Sequence, residues 1–134
     1  MLLVPPYLGL MVPLADADPS IIYVPDDHPT IQYAIGNATE GDTIIVRSGT
    51  YRESIHIYKN LTIQGEDKST TFIDGLGDTS VVFISSERVT FRGFTVYNGS
   101  QGIQCSNTEG VSIVDCVACN CTVSGIYFWN PIRY

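Results

Sequence analysis

The sequence contains few basic residues, which limits the partners that the protein can bind. Seven Lys and Arg residues stand against 14 Asp and Glu residues in the 134-residue chain, so the formal net charge is −7. Proteins that bind nucleic acid neutralise its phosphates with clustered Lys and Arg side chains. No such cluster is present in the sequence, so we expect no nucleic-acid partner.

Long apolar runs are also scarce. Residues 1–14 are almost wholly apolar, and Ala15-Asp16-Ala17 has the small-x-small form of a signal-peptide cleavage site. Three prolines interrupt the run, which is too short to cross a bilayer. We therefore predict that residues 1–18 are a signal-peptide remnant or an N-terminal extension. The protein is expected to be extracellular or at the cell surface, without a membrane span.

Catalytic and metal-binding motifs are missing as well. Neither of the two histidines, His28 and His56, has a nearby Ser or Cys that would suggest a nucleophilic triad. The carboxylates are scattered, and no EF-hand spacing occurs. We expect no catalytic residues and no cofactor, because no motif supports either calcium or copper.

A repeat of 22 residues is the main feature that is present. Apolar side chains of one stretch recur 22 positions later, which indicates a solenoid whose repeats bury their apolar sides against each other. The predicted core ladder comprises Val81, Phe83, Val89, Phe91, Phe94, Val96, Ile103, Cys105, Val111, Ile113, Cys116 and Ala118.

Apolar residues alternate within each repeat, and this spacing is typical of strands rather than helices. We predict an all-β parallel β-helix, a single-stranded solenoid of roughly four coils. Residues 19–42 are assigned to a first strand and a short amphipathic helix with apolar residues at Ile31, Ala34, Ile35 and Ala38. This helix is expected to cap the N-terminal end of the coils, which occupy residues 43–134.

The C-terminal end of the predicted coils has no capping element. A further coil begins at Gly125 and carries Phe128 and Trp129 before Tyr134. An open coil would expose these aromatic side chains. We expect that the coils are incomplete here, and that further chain continues them or another subunit covers them.

Four cysteines lie in the repeats, at positions 105, 116, 119 and 121. Cys105 and Cys116 fall on inward positions, where a free cysteine packs as a small hydrophobe. Disulfide formation and metal binding are the alternatives for this group. Cys119 and Cys121 are the weak candidates for a metal site.

Four Asn-x-Ser/Thr sequons begin at Asn37, Asn60, Asn98 and Asn120, and each is a candidate for N-glycosylation. Asn98 and Asn120 are also 22 residues apart. These two side chains could therefore form an asparagine stack along the solenoid axis instead of carrying glycans.

Several aromatic and polar side chains are predicted to face outward from the strands. Aromatic rings of this kind suit stacking on sugar rings, although tyrosine is also common on ordinary strand surfaces. The candidate carbohydrate-binding residues are His56, Tyr58, Arg92, Tyr97 and Tyr127.

The early part of the chain resembles a known family. The resemblance rests on residues 22–32, Gly41-Asp42-Thr43-Ile44-Ile45-Val46, Gly49-Thr50-Tyr51 and residues 59–65. This block resembles the opening of the right-handed parallel β-helix proteins of the pectin-lyase-like superfamily. It is most similar to the NosD-like and carbohydrate-binding or sugar-hydrolase branch, of the archaeal cell-surface type.

The resemblance implies fold more strongly than function, because the same opening precedes enzymes and inert scaffolds. We expect an extracellular module with a structural or carbohydrate-associated role, whose partner is a polysaccharide or a cell-surface glycan. One alternative is the N-terminal portion of a polysaccharide-active enzyme, a lyase or a hydrolase. The other alternative, NosD-like copper handling, follows from the family name.

Overall fold

The computed structural model describes residues 18–106 and 109–129. Its elements in chain order are β1 (Ile21–Val24), α1 (Ile31–Asn37), β2 (Thr43–Val46), β3 (Gly49–Arg52), β4 (Ile55–Ile57), β5 (Thr62–Gly65), β6 (Thr71–Ile84), β7 (Thr90–Arg92), β8 (Thr95–Ser106), β9 (Ser112–Val114) and β10 (Val117–Trp129). The predicted leader, residues 1–18, lies outside the described residues except for its last residue.

The described strands form two parallel sheets. Sheet 1 has the order β1-β2-β5-β7-β9, and sheet 2 has the order β10-β8-β6-β3, with β4 also paired to β6. The chain winds between the sheets as a parallel β-solenoid of about 5 turns, with coils of about 22 residues and one short helix. The predicted fold class is therefore confirmed, with about one turn more than expected.

Sheet 1 contributes one continuous inward column to the core. Its members in parallel register are Ile22, Ile44, Ile63, Phe91 and Ile113. The middle three are 0% exposed, and the Phe91 ring stacks on Phe94 with centroids 4.5 Å apart. The pairing of Phe91 with Ile113 agrees with the 22-residue offset.

The offset is wrong by one residue in the second half of β6. Ile103 pairs with Val82, and Cys105 pairs with Ile84, so Phe83 does not occupy the predicted inward position. Phe83 pairs with Gln104 instead and lies half-buried on the outer face of sheet 2. Because strand side chains alternate between faces, a slip of one residue exchanges inside for outside.

The slip arises at a register shift between Asp74 and Asp78, where the offset between paired residues of β6 and β8 changes from 23 (Asp74 with Tyr97) to 21 (Asp78 with Gly99). Val81 stays fully buried beside this irregularity, at the bend rather than within the stacked column. A Cβ atom on Gly75 would lie 2.6 Å from the Val81 Cγ2 atom, so the bend has room only for glycine there.

Left-handed backbone conformations occur at three equivalent positions in each of the last two described coils. These conformations recur at the 22-residue offset in the pairs Arg88 and Gly110, Gly93 and Asp115, and Asn98 and Asn120. Glycine, asparagine and aspartate adopt positive φ more readily than other residues. The sequence period therefore reflects repeated corners as well as repeated core residues.

Two successive coils approach each other closely at Gly65 and Gly93. A Cβ atom on Gly65 would lie 2.2 Å from the carbonyl oxygen of Gly93, and one on Gly93 would lie 2.6 Å from the carbonyl oxygen of Gly65. Any side chain at either position would force the two backbones apart.

Helix α1 packs its apolar stripe onto the core, as the spacing predicted, with Ile31, Ala34 and Ile35 buried. The Thr30 hydroxyl oxygen accepts a hydrogen bond from the Tyr33 N–H at 3.1 Å and forms the N-cap. An N-cap of this kind satisfies a backbone donor that the helix itself cannot.

Side chains of the first coil hold both ends of α1. The Glu53 carboxylate accepts the first two helical N–H groups at 3.1 and 2.9 Å, and Lys59 Nζ donates to three carbonyls at the other end. These charges oppose the partial charges of the helix ends. The Gln32 side chain also pairs with the backbone of His56 in both directions, so it occupies the edge of β4.

The last described coil, β9 and β10, has an exposed apolar edge. Ile126 and Phe128 continue the columns of Ile103 and Cys105, yet they are 45% and 61% exposed. The expectation that further chain or another subunit covers this coil stays a prediction.

Replacement of Phe91 by alanine tests the stacked core. Phe91→Ala should lower the free energy of unfolding by about 3–5 kcal/mol, because it leaves a cavity beside Phe94. Urea unfolding followed by circular dichroism measures this loss. The matched control is Phe72→Ala on the outer face, where Phe72 is half-buried. Equal losses in the two variants would contradict the assignment of Phe91 to the core.

Candidate functional site

Sheet 2 carries a column of outward side chains that crosses four neighbouring strand segments. Parallel register places His56 beside Phe83, Phe83 beside Gln104, and Gln104 beside Tyr127. Neighbouring strands lie about 4.8 Å apart, so the column extends over about 14 Å. We call these four residues the outer column.

A groove of about 390 Å³ lies along the first part of the outer column. Its lining residues are Ser54, Ile55, His56, Thr79, Ser80, Phe83 and Gln104. The lining combines the aromatic rings of His56 and Phe83 with hydroxyl groups and the amide of Gln104. Concave sites of this composition bind ligands through apolar contact and orient them through a few polar groups.

The aromatic side chains of the groove are packed together. The His56 ring lies 4.9 Å from the Phe83 ring at an interplanar angle of 34°, and 5.4 Å from the Tyr58 ring at 54°. His56 Nε2 and Ser85 Oγ are 2.6 Å apart and share a hydrogen bond. These contacts fix the orientation of the imidazole before any ligand arrives.

Hydrogen bonds also orient the polar side chains of the groove. The Ser80 hydroxyl lies 2.6 Å from Gln104 Oε1 and 3.3 Å from Gln101 Oε1. The Ser54 hydroxyl donates to Asp78 Oδ2 at 3.0 Å, at the rim of the groove. The groove therefore presents a preformed set of neutral polar groups.

The structure brings only part of the predicted carbohydrate-binding set together. His56 and Tyr127 belong to the outer column, and Tyr58 stacks against His56. Arg92 lies in β7 of sheet 1, on a different side of the solenoid. Tyr97 pairs with Asp74 and Cys119 in another column of sheet 2.

Two residues of the outer column, Phe83 and Gln104, were missed by the sequence analysis as candidate binding residues. Phe83 was assigned to the core because the repeat was taken to hold at a constant offset. Residues 81–84 are all apolar, so alternation alone does not show which of them face inward, although the structure buries Val82 and Ile84 on either side of Phe83. Gln104 had no sequence signal apart from its place between Ile103 and Cys105.

Asn98 and Asn120 form a ladder of amides, which extends to Asp74. Asn120 Nδ2 donates to Asn98 Oδ1 at 2.7 Å, and Asn98 Nδ2 donates to Asp74 Oδ1 at 3.0 Å. Hydrogen bonds from the Leu76 N–H and the Asn98 amide hold the pKa of the Asp74 carboxyl below its usual value. The stacked arrangement that was one alternative for these asparagines is present, although Asn120 is exposed.

The other two sequons lie near the helical cap. Asn37 is exposed at the end of α1, and its Nδ2 donates to the Tyr33 carbonyl at 2.8 Å. Asn60 is half-buried just before β5, and its carbonyl accepts the Gly41 N–H at 2.7 Å. Glycosylation stays a prediction at all four asparagines.

The four cysteine thiols are free. Burial raises the pKa of the Cys105 thiol to about 11, and burial also raises the pKa of Cys116 and Cys121. Cys119 is exposed. Within residues 18–106 and 109–129, no group of three or more His, Cys, Asp or Glu side chains could hold a metal ion. Metal binding by Cys119 and Cys121 stays a prediction.

Comparison with known proteins shows a likeness to a cell-surface protein. No family model matches the chain, and no solved structure matches it significantly. The chain is 33% identical over 103 residues to a protein of Methanothermus fervidus that is named cell surface glycoprotein. The match covers 75% of this chain but only 17% of that protein, so the chain spans a small part of the relative.

In the part of the chain that the structure describes, no helix is both long enough and apolar enough to cross a membrane.

The pKa of Cys105 predicts the order in which the thiols react. At pH 8, a thiol with a pKa near 11 is ionised in on the order of one molecule in a thousand, and the thiolate is the reactive form. Iodoacetamide should therefore alkylate exposed Cys119 in the native protein long before Cys105. Peptide mass spectrometry measures this order. Alkylation of Cys105 as fast as Cys119 without denaturant would contradict its burial, and reaction in urea is the positive control.

The asparagine ladder predicts that pH changes the stability of the wild-type protein and of the Asn98→Asp variant in opposite directions. In the wild-type protein, the lowered pKa of Asp74 stabilises the fold above the unfolded pKa, and this contribution is lost as pH falls through the folded value. Asn98→Asp places a second carboxylate against Asp74, which raises the pKa of the pair. The variant should be less stable at pH 7 and recover towards the wild type as pH falls.

Urea midpoints at pH 7 and at about pH 4 measure the effect. The matched control is Asn120→Asp, which makes the same change against a neutral amide one coil later. A similar pH response in both variants would show that the Asp74–Asn98 contact does not cause it.

Proposed function

We propose that this chain is a structural module of a cell-surface protein, and that the outer face of its sheet 2 binds glycan chains. The cell-surface part is supported by the name of the Methanothermus fervidus relative. It is also supported by the repetitive fold, because stacked coils build an elongated body from many similar contacts. The apolar start of the sequence, which predicts export, agrees with this location.

The outer column is the single observation that carries the glycan-binding part. His56, Phe83, Gln104 and Tyr127 follow one another across the coils, parallel to the solenoid axis. Aromatic faces offer apolar area to the faces of sugar rings, and the interleaved amide can hydrogen-bond to sugar hydroxyl groups. A linear ligand lying across the strands would contact each of these side chains in turn.

The geometry of the groove favours binding by preorganisation. His56 is held by Phe83, Tyr58 and Ser85, and Gln104 is held by Ser80. Side chains that are already ordered lose less conformational entropy when a ligand binds. This property matters for carbohydrates, because each sugar contact is weak and a large loss of side-chain entropy would cancel it.

The pectin-lyase-like and NosD-like affiliation is part of this proposal, and it rests on the resemblance of residues 22–65. The alternatives from the sequence were a polysaccharide-active enzyme and a copper-handling protein. No observation on the described residues favours either of them over glycan binding.

Substitution of Phe83 tests the proposed site. Phe83→Ala should weaken the binding of oligosaccharides about tenfold, because one aromatic stacking contact is worth about 0.5–1.5 kcal/mol beyond its buried area. His56→Ala should weaken it similarly. Titration calorimetry against a panel of oligosaccharides measures both effects.

Phe72→Ala is the matched control, since Phe72 is another half-buried outer phenylalanine of β6 but does not line the groove. Circular dichroism spectra confirm that each variant is folded. Equal binding by Phe83→Ala, Phe72→Ala and the unchanged protein would refute the site.

A further inference from the structure

The groove on sheet 2 is lined without Asp, Glu, Lys or Arg side chains. We infer that it takes uncharged saccharides, such as chains of neutral hexoses, in preference to polyuronates or sulfated glycans. This inference rests on the proposed glycan-binding function and adds the chemical class of the ligand. It follows from the charges around the groove and from the hydrogen bonds that its walls can still make.

The charges near the groove disfavour an anionic ligand. The Asp78 carboxylate lies at the rim, within 3.0 Å of the Ser54 hydroxyl. Lys59, which follows His56 by three residues, is turned towards the helix and donates to three of its carbonyls. A carboxylate of the ligand would therefore lose its water in the groove and gain no bidentate arginine from the lining residues.

The net charge of the chain also disfavours an anionic ligand. With a formal charge of −7, the protein repels a polyanion before contact occurs. Screening reduces this repulsion, since the Debye length falls from about 10 Å at 0.1 M salt to about 3 Å at 1 M. An uncharged saccharide experiences no such repulsion at any salt concentration.

The hydrogen-bonding groups of the groove suit hydroxyl groups. The Ser80 hydroxyl donates to Gln104 Oε1, which leaves the Gln104 amide NH₂ to donate to a ligand. The Ser54 hydroxyl donates its proton to Asp78, which leaves its oxygen to accept. A sugar hydroxyl group both donates and accepts, so it can satisfy both partners, whereas an ionised carboxylate can only accept.

Matched hexasaccharides test the charge class. The probes are β-1,4-linked glucose, β-1,4-linked mannose and α-1,4-linked galacturonate hexamers, titrated into the full chain at 20 mM and 500 mM NaCl. We expect at least one neutral hexamer to bind at least tenfold more tightly than the galacturonate hexamer at low salt. Added salt should tighten the galacturonate binding severalfold and leave the neutral binding unchanged.

Two variants separate the inference from the function on which it rests. Asp78→Asn should tighten galacturonate binding and leave neutral binding within twofold. Phe83→Ala should weaken binding of the neutral hexamer, and Phe72→Ala should not. Tighter binding of galacturonate than of both neutral hexamers would overturn the charge class but leave glycan binding standing. Absence of binding by every hexamer would overturn both.

Discussion

Vertical stacking of like side chains in parallel register is the constraint on which the rest of the structure depends. A single coil cannot bury its apolar residues, because both of its edges are open and its interior is one side chain deep. Ile44, Ile63 and Phe91 become fully buried only because each lies directly above its counterpart in the preceding coil. The same constraint brings Gly65 against Gly93 and forces both to be glycine.

Stacking acts on polar residues through the same geometry. Side chains at equivalent corners come within hydrogen-bonding distance, and the ladder from Asp74 through Asn98 to Asn120 results. On the outer face, stacking converts residues that are distant in sequence into one continuous column from His56 to Tyr127. A core built by repetition therefore also produces an elongated surface. The proposed glycan site uses that surface, and its neutral lining suits it to uncharged sugars.

The first coil is linked to helix α1 by several side-chain contacts. Helix α1 packs on it, and the Glu53 carboxylate and the Lys59 ammonium hold the two ends of this helix. Gln32 then pairs with the His56 backbone on the strand that starts the outer column. Gln32 of the helix therefore holds the backbone of His56, while Phe83, Tyr58 and Ser85 contact its imidazole ring.

The 22-residue repeat and the alternation of apolar residues were enough to predict a parallel solenoid, because both patterns are properties of the chain alone. The helix followed from the spacing of Ile31, Ala34 and Ile35 for the same reason. The position of Phe83 did not follow, since the offset between β6 and β8 falls to 21 residues beyond the irregularity between Asp74 and Asp78. This offset is one residue less than the repeat, which exchanges the two faces of the strand relative to the prediction. Assembly of His56, Phe83, Gln104 and Tyr127 was likewise decided only by tertiary structure, because register between coils determines which outward side chains become neighbours.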